Sequence, residues 1–316
     1  MENNYTRGLH ELGDGLFTWL LPNGSWGWSN AGLVAGDGRS LLVDTLFDLK
    51  LTQEMLDGMK AVTSTRPIST LVNTHANGDH CWGNELVTGA EIIATDACAA
   101  EFDEMPPSMT QQLLSTEWGD PVVEEYMAAF TAFRFDDITL TPPSRTFSSE
   151  LTITLDDREI HLLEVGPAHT QGDLIVHVPD ASTVFTGDIV FVNGTPLWWA
   201  GPLDGYIRAC DVILALGADI VVPGHGPVTD NDGVRRVKAY LEFVRTEGTL
   251  RHAAGMSAVD AARDIDLGEF GEWTDAERIV TNLHSLYGEL DPDYVGPSLE
   301  DSMREMAHLA NHFASA

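Results

Sequence analysis

Apolar residues in the first 45 positions fall in short runs broken by turn formers, which is a strand pattern. Gly15–Leu21 closes at Pro22-Asn23-Gly24, and Asn30–Ala35 and Ser40–Val43 flank the hairpin signal Gly36-Asp37-Gly38. The period then lengthens: Leu46, Leu49, Met55, Met59 and Val62 have helical spacing. Short apolar runs return at Ile68–Val72, which feeds the loop Asn73–Asn84, and at Glu91–Ala94. Residues 96–135 carry Met105, Met109, Trp118, Tyr126 and Met127 at helical spacing without alternation, and read as a helical insertion. Strands follow at Glu150–Leu155, Glu159–Val165, Asp173–Val178 and Thr183–Thr186, then a helix at Gly205–Leu216 and a strand at Asp219–Val222. From Asp232 the chain reads as helices over about 232–254, 257–264, 274–289 and 298–313, with Thr274 or Asp275 capping the third. Strand clusters alternating with helices predict sheets sandwiched by helices.

Composition narrows the function classes. The chain has 316 residues, 43% hydrophobic and 21% charged, enough apolar material for a large core. Its charge is 17 − 49 = −32, which repels phosphate backbones and anionic lipid, so no nucleic acid and no membrane is expected as partner. Cys81, Cys98 and Cys210 are too few and too scattered for a disulfide framework. The start, MENNYTRGLHELGDG, lacks the basic and apolar pattern of a leader, and a cytoplasmic location is expected. Three lysines (Lys50, Lys60 and Lys238) among 17 cations suggest a GC-rich bacterial source.

The chemistry concentrates after predicted strands. Ile68–Val72 runs into Asn73-Thr74-His75-Ala76-Asn77-Gly78-Asp79-His80-Cys81-Trp82, placing two imidazoles and a carboxylate within six residues. His169 follows Glu159–Val165, Asp188 follows Thr183–Thr186, and His225 follows Asp219–Val222. Imidazole and carboxylate are the usual ligands of zinc and other first-row metals. Any one of these residues alone reads as a cap or turn; four strand ends delivering His or Asp in this order point to a metal site.

These residues resemble the metallo-β-lactamase-fold superfamily, whose first motif is His-x-His-x-Asp-His, followed by a His, a bridging Asp and a last His. The resemblance covers roughly residues 15–230 and implies an α/β protein with an αββα four-layer sandwich. It divides the chain into a catalytic domain at 1–230, with the insertion at 96–135, and a helical extension at 231–316 packed on it. It implies one metal site from His75, Asn77 and His169, a second from Asp79, His80 and His225, and Asp188 as the bridge. Asp44 matches a structural Asp beneath the site. The departure is Asn77, where the pattern has His: it is either a weak amide ligand or half of a turn pair with Gly78. The implied cofactor is Zn2+, one or two ions, with Mn2+ or Fe2+ also suited to the second site.

The resulting expectation is a metal-dependent hydrolase using metal-activated water on a small or medium organic molecule, an ester, thioester, lactone or activated ether. Asp79 or Asp188 would hold the water, and Asn77, where it binds no metal, would bond a substrate oxygen or the attacking water. The alternatives are a lyase or cyclase of the polyketide-processing type and a metal-poor, non-catalytic relative. β-Lactam hydrolysis is disfavoured without a secretion signal, and glutathione thioesters by the scarcity of cations. Trp26, Trp28, Trp198 and Trp199 read as pocket wall, as packing, or as contacts of a homo-oligomer such as a dimer. His284 and Tyr287 read as a packed helix that could face the pocket.

Overall fold

The computed structural model describes residues 5–315. The leader-free reading of the chain start depends partly on residues 1–4, which lie outside them.

Two sheets carry the strands. The first has seven in chain order: β1 (Gly8–Gly13), β2 (Leu16–Leu20), β3 (Ala31–Ala35), β4 (Ser40–Val43), β5 (Ile68–Val72), β6 (Glu91–Thr95) and β7 (Arg145–Phe147). The second has five: β8 (Glu150–Leu155), β9 (Arg158–Glu164), β10 (Leu174–Val178), β11 (Thr183–Phe185) and β12 (Ile220–Val222), in the order β12-β11-β10-β9-β8. Strands β4, β5 and β6 are mutually parallel, as are β11 and β12. Helices cover the outer faces: α1 (Leu49–Thr63), the one-turn α2 (Gly78–Cys81), α3 (Asp96–Glu101), α4 (Pro107–Leu114), α5 (Pro121–Met127), α6 (Leu203–Leu216), α7 (Asn231–Ala253), α8 (Ala258–Asp264), α9 (Ile279–Leu290) and α10 (Leu299–Ser315).

Side-chain alternation along the strands builds both faces. Val34, Leu41, Val72 and Ile93 of the first sheet pack against Leu162, Leu174, Val176 and Phe185 of the second. Their neighbours Leu33, Leu42, Leu71 and Ile92 point outward into the helical layer with Met55 and Met59 of α1. Burying each such side chain stabilises the fold by about 1.5–3 kcal/mol. The result is the αββα sandwich.

The sheets approach most closely at Gly32, where a Cβ would overlap the Phe185 ring. A glycine inside a strand commonly marks such an approach.

Two strands escape the sequence pattern. β1 is half-exposed with a bulge between Glu11 and Gly13, and β7 is a three-residue edge. The helix expected from position 274 begins instead at Ile279, after one 3-10 turn. Asp275 takes φ +58 and makes no capping bond; its carboxylate is engaged by Ser25 and Arg278. The insertion contributes α3–α5, and α10 packs on α5. No helix among the described residues is long and apolar enough to cross a membrane.

Gly32→Ala is expected to destabilise the protein by about 1–3 kcal/mol through overpacking. A lower urea midpoint with an unchanged slope checks this; an unchanged midpoint contradicts the close approach.

Candidate metal centre

The site sits where the C-terminal ends of β4, β5, β9, β11 and β12 meet at one edge of the sandwich. Asp44 follows β4, the 73–84 loop follows β5, His169 follows β9, Asp188 follows β11 and His225 follows β12. Backbone bonds lock the edges together: Leu174 N donates to Thr74 O (2.8 Å) and Asn30 N to Gly224 O (2.7 Å). Six of the seven residues singled out by the sequence form two groups. The ligand atoms of His75, His169 and Asp188 lie within 4.8 Å of one another, as do those of Asp79, His80 and His225.

Asp188 joins the groups. Its Oδ2 is 3.4 Å from His169 Nε2, 3.5 Å from His225 Nε2 and 3.9 Å from His75 Nε2, and its Oδ1 is 3.1 Å from His80 Nε2. Asp79 Oδ2 lies 3.3 Å from His225 Nε2 and 4.0 Å from His80 Nε2. Gly224 makes room, because a Cβ there would overlap Asp188 Oδ1.

Each imidazole is oriented by its other nitrogen. His80 Nδ1 is 2.9 Å from Asp44 Oδ2, His169 Nδ1 donates to Leu197 O (2.5 Å) and His225 Nδ1 donates to Gly24 O (3.0 Å). His75 Nδ1 meets Thr74 Oγ1 at 2.9 Å, and that hydroxyl donates to Asp44 Oδ2 at 2.8 Å. The hydroxyl therefore accepts from His75. Asp44 also accepts from Thr74 N (2.7 Å), and its φ of +62 turns the chain so that one carboxylate serves both residues.

With Nδ1 committed outward, the four Nε2 atoms face Asp188. His75 Nε2, His80 Nε2 and Asp188 Oδ1 are buried without an aligned hydrogen-bond partner. Converging acceptors need positive charge between them. Burial holds His75 and His169 below the usual imidazole range, His75 also through His80. Burial also disfavours the His225 and His80 cations, but Asp188 and Asp79 outweigh it, raising His225 to about 9 and His80 well above its usual value. Conversely, burial opposes the carboxylates, yet the neighbouring imidazoles bring Asp79 to about 2 and Asp188 well below the ordinary range. The cluster holds its carboxylates by gathering protons, and a divalent cation would replace those protons. The residues fit a metal.

Asn77 stands apart. Its Nδ2 lies 3.3 Å from His169 Nε2, and it lines a cavity of about 610 Å³ in front of the site with Asp79. Trp26 and Phe47 form one wall; Met105, Met109 and Leu113 of the insertion form another; Leu299 and Met303 of α10 close it. Of the four tryptophans singled out in the sequence, Trp26 and Trp199 line the cavity, Trp198 is fully buried packing and Trp28 packs at a tilt against Phe133. His284 also faces the cavity, whereas Tyr287 is buried behind it.

The sequence model of the metallo-beta-lactamase superfamily matches residues 24–225. The chain belongs to the metallo-β-lactamase superfamily. Within it, the chain is 27% identical over 200 residues to the 2,4-dinitroanisole O-demethylase subunit alpha of Nocardioides sp. (strain JS1661), covering 61% of this chain and 51% of that subunit. It is 25% identical over 230 residues to the acyl-coenzyme A thioesterase MBLAC2 of Homo sapiens, covering 68% of this chain and 79% of that one. In structure it is similar to the inverting sec-alkylsulfatase Pisa1 from Pseudomonas sp., with a TM-score of 0.70 and 17% identity over 92% of this chain and 51% of that chain. The metallo-β-lactamase from Pontibacter korlensis gives a TM-score of 0.57 and 18% identity over 75% of this chain and 99% of that chain. The chain spans about half the length of the demethylase subunit and of the alkylsulfatase.

Sequence reasoning missed the bracket behind Trp26. Arg278 is 2% exposed, donates to Thr195 O (3.0 Å), pairs with Asp275 (2.9 Å) and stacks 4.1 Å over Trp26. Tyr126 receives Trp26 Nε1 (3.1 Å) and donates to buried Glu277 (2.9 Å). The only hint was a Glu-Arg pair set between Trp273 and Ile279-Val280.

Asp44→Asn removes one acceptor from a carboxylate that serves three donors. Metal affinity is expected to fall about 10–100-fold with helix content retained, as read by titration against a chromogenic chelator. Unchanged affinity would remove Asp44 from the support of His80.

Proposed function

We propose that the protein is a metal-dependent hydrolase acting on a small or medium organic molecule through an ester, thioester, lactone or activated ether. The observation that carries this is the convergence of four imidazole Nε2 atoms on Asp188, next to an apolar cavity that Asn77 and Asp79 line. The relatives named for thioester hydrolysis and for O-demethylation of a nitroaromatic ether support that range of bonds.

His75, His169 and Asp188 would hold one ion, and Asp79, His80 and His225, with Asp188 shared, the other. A divalent ion there supplies water acidified towards pKa ~7 and a Lewis acid for a substrate oxygen. Zinc suits the imidazole-rich set, and the carboxylates also suit Mn2+ or Fe2+. Asp79, with 15% of its side chain exposed, reaches the cavity and orients the attacking water. Asn77 donates its amide to a substrate oxygen, strengthening as negative charge develops there. The apolar walls bind the body of the substrate and exclude bulk water.

A lyase or cyclase acting on aromatic polyketides is the second reading, favoured by the aromatic and Met-rich wall. Incorporation of heavy oxygen from labelled water into product separates the two, since only hydrolysis requires it.

Chelation is expected to abolish ester hydrolysis, and Zn2+, Mn2+ or Fe2+ to restore it. Asp79→Ala and His225→Ala should each abolish turnover, while Asn77→Ala, losing a bond of about 1–3 kcal/mol, only reduces kcat/KM. Equal, complete loss in all three makes Asn77 indispensable and the ranking wrong.

The two ions are also expected to be held unequally, because Asn77 stands where the first group would gain a third imidazole. Chelator titration should remove one equivalent earlier, and Asn77→His should tighten it. Two indistinguishable steps, unchanged by Asn77→His, contradict the asymmetry.

A further inference from the structure

We infer that the cavity selects against anionic substrates, its occupant being an uncharged or cationic molecule with an apolar body. The inference rests on the hydrolase reading for calling that occupant a substrate, and narrows its class.

The cavity, about 610 Å³, is of the size that takes small organic ligands. Among the described residues lining it there is no Lys or Arg. Its charged lining is Asp79 on the floor and Glu101 and Glu104 beside Met105 at the mouth. Glu101 is anchored by Gln171 N (3.1 Å). His284 offers an anion nothing, because both ring nitrogens are engaged, Nδ1 with Tyr294 OH (2.5 Å) and Nε2 with Glu305 (2.7 Å). The arginines of the same C-terminal segment are also committed: Arg278 to Thr195 O and Asp275, and Arg304 to Trp118 O (3.2 Å) and the Trp118 ring.

An anion entering an apolar cavity loses hydration that only a cation or several aligned donors can replace. Here it also meets two like charges at the mouth, and like-charge juxtaposition is a common device for rejecting wrong partners. Among the described residues that line the cavity, no cation stands away from the His-Asp end. A distal carboxylate, sulfate or phosphate therefore finds no partner, whereas a neutral chain loses nothing. A distal cation gains the two carboxylates, with the Phe130 and Trp199 rings in the same lining.

Three 4-nitrophenyl esters sharing one scissile bond test this with the metal-loaded full chain: the hexanoate, its 6-trimethylammonio derivative and the adipate monoester with a free carboxylate. The non-reacting anilides of the same three acids, titrated against the fluorescence of Trp26, Trp82 and Trp199, read binding without turnover. The neutral and cationic esters are expected to exceed the anionic one in kcat/KM by at least about tenfold, with the anilides binding in the same order. The gap should narrow in the Glu101→Gln/Glu104→Gln variant and at high salt. An anionic member that equals or surpasses the others, in rate or binding, overturns the inference, as does a gap indifferent to both substitutions. Anilides binding in the expected order without hydrolysis of any ester would uphold the selectivity and sink the hydrolase reading.

Discussion

Four imidazoles and two carboxylates cannot share one buried edge unless positive charge, as protons or as a metal ion, sits among them, and much of the structure serves to keep the four rings aimed at Asp188. Each Nδ1 is tied to a different element: Asp44 after β4, Thr74 after β5, the Leu197 carbonyl and the Gly24 carbonyl. Rotating any ring would break a buried bond, so the fold selects one tautomer and one direction for each. The sandwich supplies the rest by bringing five strand ends from two sheets to one edge. The left-handed turn at Asp44 and the missing Cβ at Gly224 are local concessions to this convergence.

The centre and the cavity are built on different principles. Rigid strand ends hold the polar groups, whereas insertion and extension helices supply the apolar walls. Loops and helices can change without disturbing the metal edge, which is how one scaffold hosts distinct chemistries. The low identity to the thioesterase fits that division.

The metal edge was legible in the sequence because its motifs are local: each His or Asp follows a short apolar run, and His75 to His80 span six residues. The buried strands β3, β4 and β10 were legible for the same reason, as short apolar runs. What stayed hidden is non-local. β1 and β7 carry too little apolar contrast at the edge of a sheet. The pairing of α10 with α5 joins segments far apart in sequence, so no spacing rule could bring Met303 and Met105 to one cavity. Asp275 looked like a cap because Asp before an amphipathic run usually is one. It serves instead as partner to Ser25, 250 residues away. Asn77 was visible as a departure from the superfamily motif, and it lines the cavity.

The bracket around Arg278 joins the two halves of the active region. Its guanidinium lies over Trp26 and 5.7 Å from the Phe191 ring, which stacks within 2° on His225 at 5.0 Å. Asp275 meanwhile holds Ser25, next to the Gly24 carbonyl that fixes His225. One cation thus touches both the cavity wall and the ring stacked on His225. A guest against Trp26 and an ion at His225 would therefore lean on one shared side chain. Thermodynamic linkage would make any coupling between them reciprocal: whatever factor the ion added to the hold on the guest, the guest would return to the ion.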